Sequence, residues 1–192
     1  MKSHARVVVI GGGVVGVSTL YHLAKKGWSD VVLVERKELT SGSTWHAAGL
    51  LPLFNMSYSV GQIHKYSVKF YQELQEETGM DVGFRNVSNI RLASNQDRMD
   101  EFRQYAGVAS TIGVQVDFLT PEQVLDYWPM ANIDGLVGAI RHPEDGYIQP
   151  ADLTQALARG ARDSGAEIYR NTAVAAITRS DDGLWIVSTD NG

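Results

Sequence analysis

The chain contains no cysteine. That absence excludes disulfides, thiolate zinc sites, iron–sulfur clusters and cysteine nucleophiles, and it suits a reducing compartment. Proline is scarce, 5 in 192 residues, and aromatic residues make up only 9%. Basic charge is not in excess: 17 Lys plus Arg stand against 22 Asp plus Glu, a formal net charge of −5. A balance of that sign gives no electrostatic footprint for nucleic acid or for an anionic membrane surface. Long apolar runs are missing too. Lys2 and Arg6 precede an apolar run from Val7 to Val17 that superficially resembles a secretory leader, but Gly11, Gly12, Gly13 and Gly16 break it. No small-residue cleavage site follows, and the run is too short to span a bilayer. What is present is an ordinary globular composition, 44% hydrophobic and 20% charged, long enough for one domain with a real core. These bounds give no reason to expect nucleic acid or a membrane as partner; a small molecule is the expected one. The expected location is cytoplasmic, or the mitochondrial matrix if a transit peptide has been removed.

Glycine is the residue in supply, 19 in all, and its first cluster follows a strand. Val7 to Ile10 is a β-branched run without alternation, as a parallel strand covered on both faces requires. A helix is expected from about Val14 to Lys26, stopped by Gly27, and Val31 to Glu35 reads as a second apolar strand. This is a βαβ unit and places the chain in the α/β class. Further on, Ile63, Tyr66, Phe70 and Leu74 mark a helical stripe ending at Gly79, read as core. A strand is expected over Ile90–Ala93, and a helix through Met99, Phe102, Tyr105 or Ala106, and Ala109. Another helix starts at Thr120-Pro121-Glu122-Gln123, which has the capping pattern. A strand within Gly135–Arg141 precedes the turn-forming stretch His142-Pro143-Glu144-Asp145-Gly146, and a helix over Asp152–Ser164 follows. Glu167–Arg170, Ala173–Arg179 and Leu184–Thr189 then read as a β-meander, its last two strands joined by Asp181-Asp182-Gly183.

Gly11-Gly12-Gly13-Val14-Val15-Gly16 is a G-x-G-x-x-G pattern between strand and helix. The first glycine permits the tight turn, the second lets a pyrophosphate approach the backbone, and the third allows close helix–strand packing. The phosphates then meet free N–H groups at a helix N-terminus, where the dipole favours negative charge. Glycines in a strand–helix turn are by themselves a weak signal. Here Glu35 ends the next strand nineteen residues beyond Gly16, where a carboxylate accepts ribose hydroxyls and repels a 2′-phosphate. The pattern identifies a dinucleotide site without separating FAD from NAD.

Glu35-Arg36 followed by Ser41-Gly42-Ser43-Thr44-Trp45-His46-Ala47-Ala48-Gly49-Leu50 closely resembles the dimethylglycine and sarcosine dehydrogenase family, a branch of the D-amino-acid-oxidase-like flavoproteins. Asp145-Gly146-Tyr147-Ile148-Gln149-Pro150 and Gly165-Ala166-Glu167 leading into Asn171-Thr172-Ala173-Val174 also resemble that family, so the resemblance covers the whole chain. It implies a Rossmann-like FAD-binding domain with part of an inserted α+β region, truncated. Residues 1–50 and about 151–192 would bind FAD, and about 51–150 would be helices and strands inserted toward a substrate domain. It implies that Val14 and Val15 lie along the pyrophosphate turn, that Glu35 and Arg36 hold the adenosine half, and that Gly42 through Leu50 wrap the pyrophosphate and reach the isoalloxazine. Val174 would give backbone contacts near the adenine. Physically, Ser43 and Thr44 offer donors to phosphate, and Gly42 and Gly49 allow close approach.

A single His in a loop of small residues is usually just solvated. In the resembled dehydrogenases, however, the His at this place in the motif carries FAD covalently through its 8α carbon, so the resemblance implies that role for His46. A neutral imidazole nitrogen is a competent nucleophile for such a bond. The resemblance further implies FAD-dependent oxidation of a secondary or tertiary N-methyl amine, with hydride transfer to the flavin and an electron-transfer partner downstream. Tetrahydrofolate would bind only in a later domain. Catalytic residues would lie beyond Gly192, and this stretch alone is expected to be inactive. The alternatives are a non-catalytic regulatory subunit built on the same flavoprotein module and an NAD-binding dehydrogenase. His142, Glu144 and Asp145 could mimic a metal cluster, but Pro143 and Gly146 point to a surface turn and no metal.

Overall fold

The structure, a computed structural model, describes residues 1–192. Its elements in chain order are β1 (Val7–Ile10), α1 (Val14–Lys25), β2 (Val31–Val34), β3 (Leu50–Leu51), α2 (Tyr58–Thr78), β4 (Arg85–Asn86), β5 (Asn89–Ala93), α3 (Gln96–Ile112), β6 (Asp117–Leu119), α4 (Pro121–Tyr127), β7 (Gly138–His142), β8 (Gly146–Tyr147), α5 (Pro150–Asp163), β9 (Glu167–Tyr169), β10 (Val174–Arg179) and β11 (Trp185–Thr189). The chain divides into two compact units. No helix is long and apolar enough to cross a membrane.

The first unit comprises Met1–Ala48, Glu73–Gly83 and Gln149–Gly192. Its parallel sheet has the order β1-β2-β9, with Val7 opposite Val31 and Val32 opposite Glu167. All four residues of the middle strand β2 are buried, which is why its sequence shows no alternation. Val17, Leu20, Tyr21 and Ala24 of α1 are buried, as are Leu153, Ala156, Leu157 and Ala161 of α5. The β-meander expected from sequence is not formed. The helix α5 returns the chain so that Glu167–Tyr169 pairs parallel with β2, and only β10 and β11 form an antiparallel hairpin. A three-residue strand with every position half-buried carries no periodicity that would reveal its partner.

The second unit comprises Gly49–Gln72 and Phe84–Ile148. An antiparallel sheet of order β5-β7-β6 is accompanied by a small sheet of order β3-β8-β4. Leu53, Ala93, Met99, Phe102, Tyr105, Ala109 and Ile140 belong to its core. Asn95 caps α3, its Oδ1 accepting the Arg98 N–H at 2.9 Å. At α4, Thr120 Oγ1 accepts the Gln123 N–H at 3.3 Å and Gln123 Oε1 accepts the Thr120 N–H at 2.9 Å, so the capping box read from sequence is formed.

Two expectations are corrected. The α2 stripe is core only in its later half: Phe70 and Leu74 are buried, whereas Ile63 and Tyr66 are 63% and 58% exposed. Helical periodicity marks one face of a helix but not the length over which another element packs on it. The His142–Gly146 turn lies only partly on the surface: Glu144 is exposed, but His142 is 0% and Asp145 1% exposed. The central strand β7 ends at His142, and the Phe54 and Tyr105 rings stand over the imidazole, at centroid separations of 5.9 and 5.4 Å.

Candidate nucleotide site

The site of the first unit is built from the turn that joins β1 to α1. Gly11 donates its N–H to Val34 O at 2.9 Å and takes φ +108°, a conformation that strains any residue with a Cβ. Gly16 sits in the first helical turn, where a Cβ would lie 2.0 Å from the Gly11 carbonyl oxygen. Both glycines shape the turn. The amides at the start of α1 have no intrahelical partner, and the N-cap, Gly13, brings no side chain to serve them. One is met from another segment: the Val14 N–H donates to Thr44 Oγ1 at 2.9 Å. Thr44 is buried, and its hydroxyl proton remains free to donate.

Glu35 stands just beyond the end of β2. Its Oε2 accepts the Gly12 N–H at 2.6 Å and its Oε1 the Lys37 N–H at 2.8 Å, so one carboxylate ties the glycine turn to the strand end. The main-chain oxygen of Glu35 accepts the Thr172 N–H at 2.8 Å, and Lys37 O accepts the Asn171 N–H at 3.2 Å. Those two bonds bring the start of β10, at Val174, beside the same corner.

These elements enclose a cavity of about 460 Å³. Of the residues singled out from sequence, Gly13, Val14, Val15, Glu35, Arg36, Gly42, Ser43, Thr44 and Ala47 line it. Gly11, Gly16, Trp45, His46, Ala48 and Val174 do not; Gly49 and Leu50 belong to the second unit. Lys37 and Ser41 also line the cavity and were not singled out, because loop conformation rather than any local sequence pattern brings them there. A larger cavity, about 610 Å³, lies along a sheet face with Val8, Ile10, Val34 and Trp185 in its walls. It contains none of the glycine motif, and volume alone does not make it the site. No cluster of three His, Asp or Glu is placed to hold a metal ion.

Ser43–His46 forms a 3-10 turn. His46 Nδ1 lies 3.1 Å from Gly42 O. A carbonyl only accepts, so this contact needs the proton on Nδ1, and in the neutral ring with that tautomer the lone pair is on Nε2. The Trp45 ring lies against the imidazole, centroids 4.0 Å apart.

Residues 6–192 match the FAD-dependent oxidoreductase family, DAO. The chain belongs to that family. Over 191 residues it is 43% identical to dimethylglycine dehydrogenase, mitochondrial, of Rattus norvegicus, covering 100% of this chain and 22% of that protein. It is 40% identical over 178 residues to human sarcosine dehydrogenase, mitochondrial, covering 92% of this chain and 19% of that one. The chain thus spans about a fifth of the length of these relatives. Among solved structures, L-proline dehydrogenase from P. horikoshii superposes with a TM-score of 0.92 at 26% identity, covering all of this chain and 50% of that one. The α/β fold with an FAD-type nucleotide unit is therefore shown. The cavity at the glycine turn fits FAD: it is bordered by a helix N-terminus, three hydroxyls and a carboxylate, the donors and acceptor that pyrophosphate and ribose require.

Proposed function

We propose that the protein oxidises a secondary or tertiary N-methyl amine of the dimethylglycine or sarcosine type, and that this chain holds its FAD. The observation that carries the reading is the convergence of Val14, Glu35, Ser43 and Thr44 on one cavity at the start of α1. The amides there and the Ser43 hydroxyl would bind the pyrophosphate, a phosphate oxygen taking over the Val14 N–H that Thr44 Oγ1 accepts here. Glu35, its backbone already anchored by Thr172, would present carboxylate oxygens to the ribose, and Arg36 would lie along the adenosine half. When bound, FAD supplies the hydride acceptor that such an amine oxidation needs. His46 would carry the flavin covalently. Its Nδ1 donates to Gly42, and its Nε2 lone pair is the free nucleophile. The mitochondrial relatives support the matrix as a place for this chemistry.

Purified intact protein is expected to show flavin absorption that bleaches on addition of dimethylglycine or sarcosine. After acid denaturation, fluorescence should stay on the polypeptide, and His46→Ala should release it to the supernatant. Glu35→Ala should weaken FAD binding by about 1.5–3 kcal/mol, tenfold or more in affinity. Flavin absorption that no amine bleaches would instead support a regulatory subunit, and protein without flavin would sink the reading.

A further inference from the structure

The segment leaving the flavin loop is held in the second unit by an unusual clamp. Leu53 follows β3 in irregular chain, and both polar groups of its backbone are met by buried side chains from far along the sequence. Its N–H donates to Asp145 Oδ1 at 2.9 Å, and its carbonyl accepts the Tyr105 hydroxyl at 3.1 Å. Asp145 also bonds through its main chain, its carbonyl accepting the Ser88 N–H at 2.8 Å and the Val87 N–H at 3.3 Å. Directly after it, β8 pairs with β3 on one side and β4 on the other, setting Tyr147 opposite Leu50 and Gly146 opposite Leu51. The Ile148 N–H then donates to Gly49 O at 2.8 Å. No side chain is tolerated at the centre of this strand, because a Cβ on Gly146 would lie 2.2 Å from Arg85 O.

We infer that Asp145 and Tyr105 are positioning residues for flavin: by clamping the Leu53 peptide they fix Gly49–Leu51, and so the point at which the loop carrying His46 is anchored. The inference rests on the FAD reading. A two-residue strand has too few ladder bonds to hold its own register. Leu53 lies two residues beyond that strand, and a buried N–H or C=O there must find a partner or lose the cost of its desolvation. Asp145 and Tyr105 supply both partners. Their hydrogen-bond partners, Leu53, Val87, Ser88 and His142, all belong to the second unit, and they would act on the site through the chain that leads to it.

The test uses the intact protein and two readouts, native-state hydrogen exchange and flavin content with its visible spectrum. Tyr105→Phe keeps the ring and removes only the donor, so it is the gentle variant; Asp145→Ala removes the acceptor. Both are expected to lose exchange protection at the Leu53 and Ile148 amides while β2 amides stay protected. Measured in a His46→Ala background, where the flavin is free to dissociate, flavin affinity should fall about tenfold in Asp145→Ala and less in Tyr105→Phe, with the visible band shifted. Asp145→Asn retains a carbonyl acceptor and should restore protection, affinity and band position. If Asp145→Ala does not fold, the Tyr105→Phe and Asp145→Asn results decide. Wild-type flavin content and spectrum in variants that have lost protection at Leu53 would overturn the inference, as would unchanged protection. Wild-type protein without flavin would sink the FAD reading instead, and the exchange pattern would still decide the clamp.

Discussion

The two units use polar groups in opposite ways. In the first, backbone amides at a helix start and a strand end are met by Glu35 and Thr44, groups that also line an open cavity. In the second, polar side chains are enclosed, and several of their atoms have no protein partner: both His142 nitrogens, Asp145 Oδ2, Asn89 Oδ1, and the Nε atoms of Arg91 and Arg141. An open helix terminus offers donors that a phosphate can take over. A closed polar interior has its energetics set by proton occupancy and by buried partners, because low dielectric magnifies every mismatch. The first unit is thus sensitive to backbone shape and ligand, the second to pH and to loss of single buried atoms.

The largest expected effect breaks the comparison at a glycine. Gly16→Ala places a methyl 2.0 Å from Gly11 O, which neither backbone can yield without opening the turn. A loss of about 3 kcal/mol and of detectable FAD binding is expected. Gly107 occupies an exposed position in α3 of the second unit with no atom within 4 Å of an added Cβ. There the same substitution should stabilise by about 0.5–1 kcal/mol through helix propensity. Urea midpoints that move in the same direction for both variants would contradict this account of the turn.

The second effect is electrostatic and confined to the second unit. Burial pushes the Asp145 carboxyl up from 3.8 to about 6, against the Leu53 hydrogen bond and Arg91, which lower it, and with Glu144, which raises it. Burial pulls His142 down from 6.5 to about 4, aided by Arg91 and opposed by Asp117. The raised carboxyl contributes stability that is fully present below pH 3.8 and lost as pH rises through about 6. The depressed imidazole contributes stability present above pH 6.5 and lost as pH falls through about 4. Each is worth about 3 kcal/mol, and the two oppose each other over the same window. Wild-type stability should therefore vary little from this cluster, while His142→Leu should become less stable as pH rises from 4 to 6.5, and Asp145→Asn more stable. Denaturant midpoints across that range decide it. Parallel profiles for the two variants would remove the cluster from the explanation.

What could be read in the sequence follows the same division. Along the β1–glycine turn–α1–β2 path, β2 and the turn are legible because shape alone dictates them: a strand covered on both faces demands β-branched residues, and a turn that approaches to 2.0 Å demands glycine. The strand β1, expected to be covered likewise, instead leaves Val8 and Ile10 exposed on one face, so its unbroken apolar run did not report its burial. The capping box at Thr120 is legible because both partners lie within three residues. Asp145 was not, since what buries it, the Leu53 amide and the 85–88 segment, lies far away in sequence. Strands of two or three residues such as β3, β4, β6 and β8 carry no period at all. At the nucleotide corner the motif residues converge on one cavity, but Lys37 and Ser41 enter it through loop conformation, which no local pattern records.

The smallest effect sharpens the comparison, because it asks whether an amide in one unit can exchange partners while one in the other cannot. Thr44→Val keeps the shape of the side chain and removes the acceptor of the Val14 N–H. Loss of an N-terminal helix cap costs about 1 kcal/mol, and the buried surroundings of Thr44 keep water from replacing the hydroxyl fully. A phosphate oxygen can take that amide when FAD is bound, so the deficit should shrink at saturating FAD, and Thr44→Ser should abolish it in either condition. The Leu53 N–H has no such alternative, so the Asp145→Ala deficit should not shrink with FAD; it should grow by about 1.4 kcal/mol at saturation, the equivalent of a tenfold loss in flavin affinity. Chemical denaturation of the two variants in both conditions, each in a His46→Ala background that leaves FAD exchangeable, makes the measurement. A Thr44→Val deficit that FAD leaves unchanged would mean that the first amide of α1 is structural, and that the phosphates sit elsewhere on the turn.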